Sequence, residues 1–568
     1  MTTRQDIADI IFPDIQETIG DLEKKYPDRR DKICSRVAPS PTWFLHIGVI
    51  FASLVPRKFC SQNKWTFILR IEDTDQKRLV EGWIEQIINW LKTFWIPIDE
   101  WPIGENNKDV WNYWPYIQSN RKKFYQIFVK DLISRWLAYP CRMTEQELEK
   151  TREQQTKAKV APWIYGNYSI RRNKTPDEII EKLNKDKGFV IRFRSHWDIT
   201  KRIIFDDIIR GKITMNDNYN DIVLIKSDSL PTYHMAHIVD DHLMRVSHVI
   251  RAEEWLMSVP LHLQLFEACW LTPPLYCHVS QILKSDEGKK RKISKRKDPE
   301  ANVEYFFENG FAPQWIIDYL LTIVDPFYEE RLINNPDKNF HDYEIHLEKM
   351  NKSGALFDMI KLQSVNNNYL SKISTQDLYD QSLFRANKYK PDLAKLMESD
   401  PEYTQAALNI ERHTAKDPKR FTTFLDVENQ LRFFYDSERI KLISNVWLVS
   451  SDEKKETRNS EPVTRNKVQK STNITLEVIK TFINEYIQVL DLTMTVEDRF
   501  TQLKEIWKKY WFASNNAEFK EWWYNWKTWD LAMIIRTQLC CTNKTPDLYS
   551  LMQVMWKDRV ISRLKILI

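Results

Sequence analysis

From Ile33 the pattern of apolar and polar positions becomes that of strand, turn and helix. ICSRVAPSPT reads as a strand running into a turn, LHIGVIFASLVPRKFC as the helix behind it, and TFILRIED as a second strand. Apolar positions over residues 84–94 then recur at helical spacing. Strands alternating with helices predict a parallel α/β sheet. Residues 121–225 are more polar and mixed, which predicts an insertion. LPTYHMAHIVDD and RVSHVIRAEEW read as strands that restore the α/β pattern, and a basic loop follows at 289–297. From about residue 346 the pattern is helical (LFDMIKL, DLAKLMES, TLEVIKTFINEYIQVL, LAMIIRTQL). Residues 1–32 read as a polar, helical N-terminal extension, and 449–472 as an exposed polar linker.

Length and composition narrow the class. The 568 residues suffice for several domains with buried cores. A net charge of +5 permits a nucleic-acid partner without demanding one. The seven cysteines form no CxxC pair, so reduced thiols are expected and neither a disulfide framework nor a zinc cage. The N-terminal residues carry acidic groups within their apolar run, and no apolar run reaches membrane-spanning length. A cytoplasmic protein without a membrane partner is therefore expected.

Three segments carry candidate chemistry. In APSPTWFLHIG (residues 38–48) a turn enters a helix at His46-Ile47-Gly48, where backbone N–H groups and an imidazole suit a phosphate. A capped helix start with an incidental histidine would look the same. LRIEDTDQKR (69–78) sets Glu72, Asp73 and Asp75 after a strand, a place to hold an ammonium group or to cap a helix. KKRKISKRK (289–297) is a phosphate-binding candidate or a solvated basic loop.

Taken in order, APSPT-x-x-LHIG, LRIEDTDQKR, PTYH-x-A-x-x-VDDHLM, HVIRAEEW and KISKR resemble the bacterial-type glutamyl-tRNA synthetases. HIGV (46–49) and KISKR (292–296) match the two signatures of class I aminoacyl-tRNA synthetases. KSGALFDMIKL and the C-terminal TPDLYSLMQVM-x-KDRVISRL extend the likeness from residue 33 to the end. The resemblance implies a Rossmann-type catalytic domain in two halves, 33–120 and 226–285, around an acceptor-stem-binding insertion at 121–225. A KISKR loop and stem-contact region (286–345) and an all-α anticodon-binding region (346–568) would follow.

It also implies roles. Arg36 and Tyr233 would meet the side-chain carboxylate of glutamate, Ser40 and Glu72 its α-amino group, and Arg251, with His237, its α-carboxylate. His46, Gly48, Glu254 and Lys295 would contact ATP, and Lys292 and Lys295 would follow the departing pyrophosphate. ATP with Mg2+, glutamate and tRNA(Glu) are the implied partners, tRNA(Gln) stays open, and a monomer without zinc is expected, since the insertion holds only Cys141 of the cysteines. His237 departs from the asparagine of some relatives. A catalytically inactive tRNA-binding paralogue, its phosphate turn plugged by Trp43, is the alternative. A truncated synthetase-like enzyme acting on a tRNA base is disfavoured by the long helical half.

One ratio is abnormal: 10 glycines against 22 tryptophans, when glycine usually makes up about 7% of residues. Trp43, Trp65, Trp95, Trp101, Trp114, Trp270 and Trp556 stand where the resembled family carries glycine, as do, less clearly, Trp111, Trp136, Trp163, Trp511, Trp526 and Trp529. Trp90 and Trp255 fit as tryptophan. The pattern predicts UGA codons meant as glycine; an aromatic surface for stacking on bases is the other reading.

Lys295→Ala is expected to slow adenylate formation about 10²–10³-fold, the scale for losing one preorganised charge donor. An unchanged rate in a single-turnover assay would remove Lys295 from the chemistry.

Overall fold

The structure, a computed structural model, describes residues 3–29, 33–40, 46–78, 80, 82–102, 112–185, 188–286, 288–294, 297–335, 340–412, 420–439, 476–510, 512–513, 526–542 and 545–566. Trp43, Trp111, Trp511, Lys295 and the expected linker at 449–472 lie outside them. The chain divides into two units, residues 1–305 with 316–358 and residues 306–315 with 359–568.

The first unit is built on parallel strands. Cys34–Val37 pairs with Thr66–Leu69, Cys34 opposite Thr66 and Val37 opposite Leu69. His248–Ala252 pairs in parallel with Leu275–Val279, Arg251 opposite His278. Ser247 joins the two ladders: its N–H donates to the carbonyl of Cys34, and its own carbonyl accepts from Leu275. Arg202–Asp207 continues the second ladder at Asp207–Tyr276 and turns back as the antiparallel strand Gly211–Asn216.

Two segments within 121–225 are thus integral to this unit. One is the strand Arg202–Asp207; the other is the helix Lys122–Ser134, which buries Phe124, Tyr125, Phe128 and Leu132 in the main core. The strands Ala138–Cys141, Val190–Phe193 and Val223–Ile225 form a separate antiparallel sheet. The N-terminal segment is helical, as its pattern predicts. Thr3 with Asp6 and Thr18 with Asp21 form capping boxes that start the helices Arg4–Ile11 and Ile19–Lys25. Their apolar faces join the same core through Ile7, Phe12, Leu22 and Tyr26.

Two expectations are corrected. PTYHMAHIVDD is not a strand but the helix Tyr233–Leu243, which buries polar side chains at His237, Asp240 and Asp241 along with apolar ones. Those polar positions break the apolar helical rhythm and make the segment look strand-like. The basic run is not all loop: Lys289–Lys292 forms a hairpin with Ile282–Asp286.

Among its described residues the second unit is helical from Met359–Leu370 to Lys557–Lys565, apart from a short pairing of Phe512–Ala513 with Trp526–Lys527. Its core centres on Leu378, Leu408, Leu431, Phe482 and Leu551. Arg563 satisfies buried carbonyls of Phe433, Phe434 and Leu539 and pairs with Asp436. Among the described residues no helix is long and apolar enough to cross a membrane.

The tryptophan anomaly has a backbone counterpart. Eleven described non-glycine residues have positive φ, and five are tryptophan: Trp95, Trp136, Trp197, Trp270 and Trp556. Trp95, Trp136 and Trp270 each follow a helix with the paired hydrogen bonds of a left-handed C-terminal cap. At Trp136 these run from its N–H to Ile133 and from Leu137 to Leu132; at Trp270, to Glu267 and from Leu271 to Phe266. Trp556, at φ 61° and ψ 154°, lies in a region almost exclusive to glycine. Trp197 was not among the tryptophans singled out by sequence; only its φ of 54° marks it.

Candidate active site

The signature turn lies where the strand Cys34–Val37 gives way to the helix Ile47–Asn63. His46 is that helix's N-cap, its Nδ1 accepting the Gly48 N–H at 2.9 Å. A Cβ on residue 48 would stand 2.8 Å from that nitrogen, so glycine lets the ring fold over the helix start. With Nδ1 accepting, the neutral ring carries its proton on Nε2, the kind of donor an anion takes. Capping and phosphate binding are therefore compatible roles.

The adjacent strand ends are tied together. Arg70 N–H donates to Val37 O, and Glu72 N–H to Pro39 O, which brings Glu72 beside the segment carrying the exposed Ser40. The three carboxylates of IEDTD do not act as one group. Glu72 accepts from Arg70 Nη2 at 3.1 Å, and burial pushes its carboxyl upward. Asp73 instead accepts the Ser119 N–H at 2.8 Å, a structural use.

Below these ends lies a buried ionic network. On the helix Tyr233–Leu243, Tyr233, His237 and Asp241 recur every fourth residue and share one face. Asp241 accepts from Arg36 Nε and Nη2 at 3.2–3.3 Å and from Arg70 Nη1 at 2.5 Å. His237 Nδ1 lies 2.9 Å from Asp241 Oδ2, too oblique for a hydrogen bond, and its Nε2 meets Tyr276 Oη at 3.2 Å. Asp240 accepts from Arg121, Gln118 and Tyr125 at 2.6–3.0 Å. Burial acts against the Asp241 carboxylate, yet Arg36 and Arg70 hold it well below the ordinary range.

Arg251 is different. It is 5% exposed and pairs with no carboxylate among the described residues. Its Nε donates to His278 Nε2 at 3.0 Å, Nη1 to Tyr233 Oη at 3.2 Å and Nη2 to the Trp255 carbonyl at 3.3 Å. A buried guanidinium surrounded by neutral acceptors is electrostatically incomplete without an anionic ligand. Arg36, Tyr233, His237, Glu72 and Arg251 are thus brought into one neighbourhood.

The expected nucleotide residues are partly described. Lys292, on the hairpin, pairs with Glu254, both half-exposed. The missed residue here is Asp298. It accepts from both Arg291 terminal nitrogens, from Lys284 and from the Ser294 N–H, so it anchors the base of the KISKR segment. These contacts, the Arg291 fork first, hold its carboxyl well below the usual range. Cys141 is buried in its strand, and among the described residues no group of three or more metal-ligating side chains occurs.

Similarity to known proteins follows the same lines. The family of tRNA synthetases class I (E and Q), catalytic domain, matches residues 32–364. The glutamate–tRNA ligase of Clostridium perfringens strain SM101 is 38% identical over 566 residues, covering 99% of each chain. That of Clostridium beijerinckii is 38% identical over 563 residues, covering 98% of each. The crystal structure of a glutamate tRNA ligase from Elizabethkingia meningosepticum, in complex with its amino acid, is 26% identical with a TM-score of 0.66 and covers 94% of this chain and 99% of its own.

The histidines beside Arg251 predict a pH response. Burial first, then Arg251, lowers His234 to about 4; burial against the weaker pull of Asp241 lowers His237 to about 3; His262 is also held down. Their unfolded counterparts take up protons near pH 6.5. Between about pH 6 and 4 the unfolded chain therefore binds more protons, and stability falls as pH falls, by about 1.4 kcal/mol per pH unit for each histidine. Urea unfolding from pH 6 to 5 is expected to approach this slope, reduced in His234→Gln; equal slopes in the two proteins would contradict it.

Proposed function

The chain belongs to the class I tRNA synthetases of the E and Q type, and from that membership we infer that it is an ATP-dependent glutamate–tRNA ligase. The observation that carries this at the site is Arg251, a buried guanidinium without a carboxylate partner among the described residues, beside Arg36 and Tyr233. Glutamate supplies two carboxylates to such a site. Its α-carboxylate would lie against Arg251, with His237 nearby, and its side-chain carboxylate against Arg36 and Tyr233. Its ammonium would lie by Ser40 and Glu72.

The chemistry needs no protein nucleophile. An α-carboxylate oxygen attacks the α-phosphorus of ATP, the bond to the bridging oxygen breaks, and pyrophosphate leaves with the electron pair. A ribose hydroxyl at the 3′ end of tRNA(Glu) then attacks the glutamyl carbonyl and AMP departs. Positioning and cationic stabilisation supply the rate. His46 and the helix start at Gly48 would face phosphate oxygens, and Glu254, Lys292 and Lys295 the rest of the nucleotide. Mg2+ would come bound to the ATP phosphates and supply further neutralisation of their charge. The Lys292–Glu254 pair would open as ATP arrives, freeing Lys292 for the leaving pyrophosphate.

In this reading parts of 121–225 meet the acceptor stem, 286–345 carries the KISKR loop and stem contacts, and the helical region from 346 meets the anticodon. The protein acts as a cytoplasmic monomer. Charging of purified tRNA(Glu) and tRNA(Gln) decides whether the second is also a substrate. An inactive paralogue would give no ATP–pyrophosphate exchange with tRNA present.

Arg251→Ala is expected to raise the KM for glutamate by about 10²-fold, the cost of a lost charge-assisted contact, with the KM for ATP changed far less. Equal glutamate KM values in Arg251→Ala and the parent would refute the assignment.

A further inference from the structure

We propose that His278 and Asp207 are positioning residues that fix Arg251 for the substrate carboxylate, an inference that rests on the reading of Arg251 above. Asp207 ends the strand Arg202–Asp207 and is 2% exposed. Its Oδ1 accepts the N–H groups of Ile209 and Arg210 at 3.1 and 2.9 Å. Its Oδ2 takes the His278 N–H at 3.0 Å and His278 Nδ1 at 2.7 Å. An ionised carboxylate only accepts, so His278 Nδ1 carries the ring proton. Nε2 is then a lone-pair acceptor, and Arg251 Nε donates to it at 3.0 Å. Burial lowers the His278 pKa and so favours the neutral ring this requires.

The consequence is directional. With Nε committed to His278, the guanidinium cannot rotate about its stem, and the edge bearing Nη1 and Nη2 keeps one orientation. Tyr233 Oη and the Trp255 carbonyl mark that edge. Asp207 acts at two removes: it fixes the tautomer of His278 and never touches the ligand. The strand register that sets Arg251 opposite His278 makes the contact possible. It also gives the strand Arg202–Asp207, from within the insertion, a hand in amino-acid recognition.

Three variants test it through steady-state aminoacylation, with urea unfolding as a check on folding. His278→Ala removes the acceptor and is expected to raise the glutamate KM about 10–100-fold, the scale of misplacing a substrate-holding group, with the ATP KM unchanged. His278→Gln, whose amide oxygen can reach the Nε2 position, is expected to recover most of that loss. A glutamate KM unchanged in His278→Ala while Arg251→Ala raises it would overturn the positioning role alone. So would equal rises in the KM for glutamate and ATP, or no recovery in His278→Gln with folding intact. An unchanged glutamate KM in Arg251→Ala would overturn the underlying site reading instead.

A separate observation carries a second inference. Left-handed φ values cluster on tryptophan, which is 5 of the 11 such non-glycine residues among those described, although only 22 of 568 residues are tryptophan. Three sit in helix caps where glycine is the usual residue, and Trp95, Trp197, Trp270 and Trp556 leave 43–76% of their surface exposed. We infer that the natural polypeptide carries glycine at Trp95, Trp136, Trp197, Trp270 and Trp556, their codons being UGA read as glycine. UGA at these five positions, with UGG at Trp90 and Trp255, and glycine at the five in peptide masses from the source cells are the expected results. UGG at the five, or tryptophan in the peptides, would overturn it. Recombinant Trp270→Gly and Trp556→Gly are expected to melt about 2–4 °C higher each; lower melting in both would count against the inference.

Discussion

The structure depends on one constraint: the adjacent carboxylates of Asp240 and Asp241 are buried and must be neutralised where they stand. Helix geometry points neighbouring residues in different directions, so each draws its own partners. Asp241 draws Arg36 from the first parallel strand and Arg70 from just past the end of the second, and Asp240 draws Arg121, Gln118 and Tyr125 from residues 118–125. Desolvating several charges is expensive, and removing one partner strands the others. The network therefore fixes the strand ends, the helix Tyr233–Leu243 and the start of the helix Lys122–Ser134 in one arrangement.

Against that satisfied background Arg251 is informative. Arg36, Arg70 and Arg121 have carboxylates supplied by the fold, whereas Arg251 has two histidines, a phenol and a carbonyl. The protein meets the desolvation cost of this guanidinium with neutral acceptors, and under the proposed function glutamate supplies the counter-charge. Arg36 can serve both ends, since its bonds to Asp241 engage Nε and Nη2. On the proposed nucleotide side stands a helix start with glycine at its second position.

Much of this was legible in the sequence, and what was not has a common cause. The HIG turn, the alternation of strands and helices and the candidates Arg36, Tyr233, His237 and Arg251 follow from local patterns and family resemblance. Asp241 binds Arg36 across 205 positions, and Asp207 binds His278 across 71. No periodicity encodes such pairings. Apolar spacing reads the helix Tyr233–Leu243 as a strand because its inward face carries His237, Asp240 and Asp241, and such spacing cannot see a buried polar face. Asp73 looked equivalent to Glu72, but consecutive residues after a strand diverge, and Ser119 claims one of them. The glycine deficit was visible in composition, whereas the misfit at Trp197 needed a backbone angle.

In the proposed site Arg251 receives the substrate's carboxylate, while Arg36, Arg70 and Arg121 are already paired. A crystal structure of this protein with glutamate tests it most directly. The α-carboxylate is expected within hydrogen-bond distance of Arg251 Nη1 or Nη2, with Arg251 Nε still on His278. Glutamate bound with both carboxylates away from Arg251 would contradict it.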